Sequence, residues 1–107
     1  MDASTVSTPP LVVPPEVVAF AEESGVAPYL PAMLELLPQT FPTARRFDVL
    51  VEDDPEIAND RHIVFEVDAP LDVSQFLVVR RQWNDGLFAR VPGPLVCVFR
   101  LSLELVP

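Results

Sequence analysis

Apolar positions change their period along the chain, and the changes divide it into six elements. Pro14-Pro15-Glu16 opens a short helix, because a proline in the first turn gives up an N–H that has no intrahelical partner there. Val17, Phe20, Ala21 and Ser24 share one face of it and Gly25 supplies the stop. Ala27-Pro28 starts a second helix, in which Leu30, Met33, Leu34 and Leu37 recur at helical spacing, with Phe41 one turn beyond. Pro38 ends or kinks it, and Pro42 closes it.

From Phe47 the period becomes two. Phe47, Val49 and Val51 alternate with Asp48, Leu50 and Glu52; after an acidic loop, Ile63, Phe65 and Val67 alternate with His62, Val64, Glu66 and Asp68. Two strands joined by a loop of about ten residues predict an antiparallel pair. Asp72 and Gln75 have the spacing of a capping box. They start a helix that runs to Arg90 with Phe76, Val79, Trp83 and Leu87 toward the core, and Pro92-Gly93-Pro94 ends it. Gly86 weakens its interior by about 1 kcal/mol relative to alanine. Leu95 to Val106 alternates throughout and predicts one last strand, roughly 40 Å long against roughly 22 Å for the earlier two. The surplus predicts an unpaired edge that a second copy or a partner covers; a bend at Arg100 is the alternative.

The order α-α-β-β-α-β predicts a single small α+β domain over residues 14–107, a three-stranded mixed sheet with helices packed on it. A right-handed crossover sets the last strand parallel to the second. Residues 1–13, ending Pro9-Pro10-Leu11-Val12-Val13, read as a flexible, proline-rich arm. Leu50, Val64, Val96 and Val98 are apolar on the sheet face opposite the third helix. Coverage by the first two helices is expected there; left bare, a patch rimmed by Asp48, Glu66 and Arg100 would mark a protein interface.

Composition narrows the function. The chain has 107 residues, half of them hydrophobic, and a mean hydropathy of +0.31, enough for a core. Net charge is −9 and pI about 4.3, which argues against a nucleic-acid-binding surface. Charge is also uneven: residues 1–44 carry five acids and no base, while all seven basic residues are arginines from position 45 onward. The lone Cys97 cannot form an internal disulfide and reads as a small buried hydrophobe in a reducing compartment. No basic-then-apolar leader opens the chain and no apolar run is long enough for a membrane span, so a cytoplasmic protein is expected.

Reactive constellations are scarce. His62, the single histidine, has no nucleophile beside it in any known motif and reads as a strand-end surface group. Three scattered glycines line no phosphate cradle. Asp48, Glu66 and Asp68 share a sheet face where a hard cation such as Mg²⁺ would find oxygen ligands. The spacing Glu66-Val67-Asp68 is that of nucleotidyltransferase-type sites, but no Gly-Ser precedes the first strand's carboxylates. The related nuclease pattern needs a lysine, which the chain lacks. The residues therefore point first to a non-catalytic protein-binding domain with no cofactor, profiled like antitoxins, immunity proteins or accessory subunits that dock a basic partner protein. Glu52, Asp53, Asp54, Glu56 and Asp60 are its expected contacts, with Glu66 and Asp68 behind them. Two alternatives are a divalent-metal enzyme acting on nucleotides or phosphodiesters through Asp48, Glu66 and Asp68, and a structural subunit or homodimer pairing through the C-terminal strand.

Overall fold

Residues 11–57 and 60–107 are described by a computed structural model. Elements follow the expected order: α1 (Pro15–Ser24), α2 (Leu30–Thr40), β1 (Arg46–Asp53), β2 (Arg61–Ala69), α3 (Val73–Arg90) and β3 (Phe99–Leu105), with 3₁₀ turns at Ala27–Tyr29 and Gly93–Val98. The sheet order is β1-β2-β3, with β1 antiparallel and β3 parallel to the central β2. The protein is thus an α+β domain with a three-stranded mixed sheet. Most of the proline-rich arm, residues 1–10, lies outside the described residues; Leu11 and Val13 pack against the core.

Each helix ends where local chemistry dictates. Gly25 adopts φ 81°, the left-handed conformation that lets its N–H reach Glu22 O and the Val26 N–H reach Ala21 O, closing α1 in a Schellman pattern. Asp72 and Gln75 form the capping box at α3 in both directions: Gln75 N–H donates to Asp72 Oδ1 at 2.8 Å, and Asp72 N–H to Gln75 Oε1 at 2.9 Å. Pro38 sits inside α2 without ending it.

The core lies on one side of the sheet only. Odd-numbered strand residues Phe47, Val49, Ile63, Phe65, Val67, Ala69 and Phe99 form one buried cluster with Val17, Phe20 and Ala21 of α1, Leu30, Met33, Leu36 and Leu37 of α2, and Trp83 and Leu87 of α3. Trp83 packs edge-on to Phe65 and tilted against Phe41, and Arg61 lies over the Phe20 ring at 5.1 Å. The first two helices therefore do not cover the opposite face as expected; they share the α3 side. Gly86 accommodates part of this packing. A Cβ there would come within 2.7 Å of a Leu36 methyl, so the glycine makes room for the Leu36 side chain of α2 against α3 and is not a simple weakness in the helix.

The last segment also departs from expectation. Leu95 to Val98 continue the alternating pattern yet form a 3₁₀ turn, because Pro92-Gly93-Pro94 folds the chain back and Leu95 N–H bonds Pro92 O. Val96 and Val98 then pack against the core from a turn, and Cys97 points outward and is exposed instead of buried. The strand that remains has seven residues beside the nine of β2, so the inferred surplus of length does not exist.

Two outcomes test this packing. Gly86→Val should lower stability by about 1–3 kcal/mol in chemical denaturation, the range for forcing extra carbons into a filled core. Gly93→Ala, with open space around it, should stay within about 0.5 kcal/mol. The Asp72 carboxylate is held below the usual range, first by the Gln75 N–H and then by the Ser74 hydroxyl. A depressed folded-state value stabilises the fold above the unfolded value of about 3.9 and is lost as pH falls through the folded one. The stability gap between wild type and Asp72→Ala should therefore be constant near neutrality and close below about pH 4; a gap unchanged in acid would contradict this role.

Candidate functional site

With all helices of the described residues on one side, even-numbered strand residues form a sheet face that none of these helices covers. Its rungs follow from the register. Arg46, Asp68 and Glu104 lie in one row; Asp48, Glu66 and Ser102 in the next; Leu50, Val64 and Arg100 in the third; and Glu52 sits opposite His62. Five carboxylates against two guanidiniums make the face acidic. Val64 is buried among these side chains yet lies outside the contiguous core, and Leu50 beside it is half-buried, so the plate has a small apolar centre.

Arg46 is the hub. Its Nε donates to Asp68 Oδ2 at 2.9 Å, Nη1 pairs with Asp48, and Nη2 lies 3.7 Å from Glu66 Oε1. The hydrogen bond to Asp68 is the main reason its pKa is raised; attraction by Asp68, Asp48 and Glu66 adds to this, and desolvation opposes it. Asp48 and Glu66 stand directly opposite each other across the β1–β2 ladder, a destabilising like-charge pair. The guanidinium between them offsets that repulsion.

The carboxylates that a metal site would use are thus brought together, with a guanidinium already among them. Among the described residues no group of three His, Cys, Asp or Glu side chains is arranged to hold a metal ion. His62 is not a surface group. It is 3% exposed, with Nε2 3.5 Å from Glu52 Oε1 and with no hydrogen-bond partner for Nδ1 among the described residues. It sits near the start of β2 opposite Glu52 of β1, and its burial is something a one-dimensional pattern does not reveal.

The loop acids are largely engaged within the chain. Asp53 accepts from Arg61 Nε at 2.9 Å. Asp54 Oδ1 accepts the N–H groups of Glu56 and Ile57, an Asx-type turn that shapes the loop. Asp60 Oδ2 lies 3.8 Å from Arg100 Nη2. Glu52 and Glu56 are exposed. The expected second tier, Glu66 and Asp68, belongs to the sheet face, where Asp48, Glu52 and Glu104 join it. Sequence reading missed Arg46 as organiser and Glu104 as a member. Period two places both on this face, but only the strand register shows which acids they meet.

A hollow of about 540 Å³ opens where the end of α2, the end of β2 and the start of α3 meet, lined by Thr40, Phe41, Leu71, Gln75, Val78 and Val79 among others. Among the described residues its lining side chains are apolar or neutral and polar. No helix among the described residues is long and apolar enough to cross a membrane. Comparison with known proteins finds no matching family model, no matching curated protein and no matching solved structure.

Removing the hub is the direct test of the cluster. Arg46→Gln should lower stability most at low ionic strength, and added salt should narrow the gap from wild type by screening Asp48 against Glu66. A deficit that salt leaves unchanged would assign the loss to packing instead.

Proposed function

We propose that this chain is a non-catalytic docking module that grips a basic surface of a protein partner with its uncovered sheet face. One observation carries the reading. Three helices crowd one side of a three-stranded sheet, and the side left bare carries Asp48, Glu52, Glu66, Asp68 and Glu104 around Leu50 and Val64. A sheet face with an apolar centre and a charged rim suits a protein surface better than a small substrate, which needs a concavity. Acidic charge attracts an arginine- or lysine-rich partner at long range and speeds the encounter. Arg46 holds its three acids in fixed positions, so little side-chain freedom is lost on docking. Inhibitors that neutralise a basic protein, of the antitoxin or immunity type, and acidic accessory subunits both fit this mode. A cytoplasmic setting suits the exposed, unpaired thiol of Cys97.

A short arginine- and lysine-rich peptide serves as the probe. Titrated into the labelled protein, it should shift backbone resonances of even-numbered β1, β2 and β3 residues and leave α1 quiet, although Glu16, Glu22 and Glu23 are also exposed acids. Affinity should fall about tenfold or more between about 50 mM and about 500 mM salt. The triple variant Asp48→Asn, Glu66→Gln, Glu104→Gln should abolish the shifts. Shifts spread evenly over all exposed acids, or binding indifferent to salt, would remove the reading.

A second reading, self-association through the C-terminal strand, is favoured by the composition of that strand's free edge.

A further inference from the structure

We infer that β3 pairs antiparallel with β3 of a second copy about a two-fold axis at Ser102, joining two sheets into one of six strands. The inference does not depend on the docking reading: it rests on the outward-facing peptide groups of β3 and on the spacing of Arg100 and Glu104 along it, although both side chains also belong to the face.

β3 is an edge strand. Val106 N–H donates to Ala69 O and Arg45 N–H to Asp68 O. In a ladder of period two these bonds turn the even-numbered peptide groups of β3 inward, toward β2. The N–H and C=O groups of Phe99, Leu101, Leu103 and Leu105 then face outward. In agreement, Leu101 O is met from outside the sheet by Arg80 Nη1, at a long 3.5 Å. Exposed edges are usually protected by proline, a bulge or repeated charge. The edge at β1 carries Arg46, Asp48, Glu52 and Asp53. The sequence Phe99-Arg-Leu-Ser-Leu-Glu-Leu105 has no proline and only two charges.

Those two charges are what select a second copy as the occupant. Arg100 and Glu104 lie symmetrically about Ser102, the midpoint of the strand. Antiparallel pairing about that point sets Arg100 opposite Glu104 of the other copy, and Glu104 opposite its Arg100. On the helix side, Phe99 meets Leu105 and Leu101 meets Leu103, apolar against apolar. All seven residues pair. Centring the axis on Arg100 or Glu104 instead sets like charges opposite, and intermediate registers leave Glu104 without a cation. The strand is therefore complementary to itself in one register, as an isologous two-fold interface requires. The present contact of Arg100 with Asp60, at 3.8 Å and half-exposed, is weak enough to yield.

The flank of α3 continues this surface. Val73, Leu77 and Phe88 are between 64% and 69% exposed, and lie on one stripe of the helix with Asn84. Asn84 lines the groove between α3 and β3, together with Arg80, Leu101 and Arg100, so the stripe looks toward the β3 edge. The same two-fold axis brings the two α3 stripes to either side of the new seam.

Ser102 gives the decisive test. Residues opposite each other at even positions of this pairing are non-hydrogen-bonded pairs, with Cα atoms about 4.5 Å apart, within disulfide reach. In a Cys97→Ser background, Ser102→Cys should form a disulfide-linked dimer under mild oxidation, whereas Ser24→Cys, on α1, should not. By light scattering the unmodified protein should have about twice the 11.9 kDa chain mass at sub-millimolar concentration. Arg100→Glu alone and Glu104→Arg alone should each weaken the dimer about tenfold or more, and the double exchange should restore it. A monomer at these concentrations overturns the inference. So does a dimer in which Ser102→Cys fails to cross-link, or one indifferent to the single charge reversals.

Discussion

Everything in this molecule follows from the one-sidedness of β2. Ile63, Phe65, Val67 and Ala69 are fully buried on one face, and three helices deliver their apolar stripes to that row and its neighbours. A three-stranded sheet is about 10 Å across between its outer strands, roughly the diameter of one helix. The three helices therefore pack against one another as well as against strands. Gly86 under Leu36 and Trp83 between Phe41 and Phe65 are the points where that crowding is relieved. With no helix left for the other face, its residues must tolerate water. Most of them do so as charge, five carboxylates and two guanidiniums, while His62 and Val64 are buried and Leu50 is half-buried.

Much of the fold is legible in the period of the apolar residues. Both strands of the hairpin, the capping box at Asp72 and the stops at Gly25 and Pro92 are local signals, and each element appears where its signal lies. Two features are not local. Alternation from Leu95 to Val98 is indistinguishable from a strand by pattern, yet a proline on either side of Gly93 turns the backbone first, so tertiary packing reuses Val96 and Val98 from a turn. Sidedness is the other. Leu50, Val64, Val96 and Val98 look like a second core face, and amphipathic helices look as though they need one. That α1 and α2 instead join α3 is a matter of tertiary packing, and the role of Gly86 emerges only when the Leu36 side chain is placed against it.

The candidate site divides in the same way. A count of carboxylates draws attention to the loop between β1 and β2, where acids are densest in sequence. In the structure these loop acids have partners within the chain: Asp53 pairs with Arg61, Asp54 accepts backbone N–H groups, and Asp60 lies 3.8 Å from Arg100. The acids on the plate come from three strands and look sparse in any one of them. Arg46 is the clearest case. In sequence it is a charge between Arg45 and Phe47; in the sheet it is the cation that lets Asp48 and Glu66 stand opposite each other.

Face and edge make different demands on charge, and Arg100 and Glu104 serve both. As members of the plate they help set its potential. At the edge their spacing about Ser102 makes them complements of each other in a second copy. Pairing would turn each toward its counterpart and neutralise the seam, leaving Asp48, Glu66 and Asp68 of each copy as the acidic clusters. Five strand spacings separate the two outer β1 strands of such a sheet, about 24 Å. A ligand that engaged both clusters would then have to be either two-fold symmetric itself or extended across the strands, with its basic groups at matching separation. A compact basic partner would instead occupy each cluster independently. The seam thus determines whether the two clusters can be read by one ligand, while Arg46 determines the local arrangement of charge that each presents.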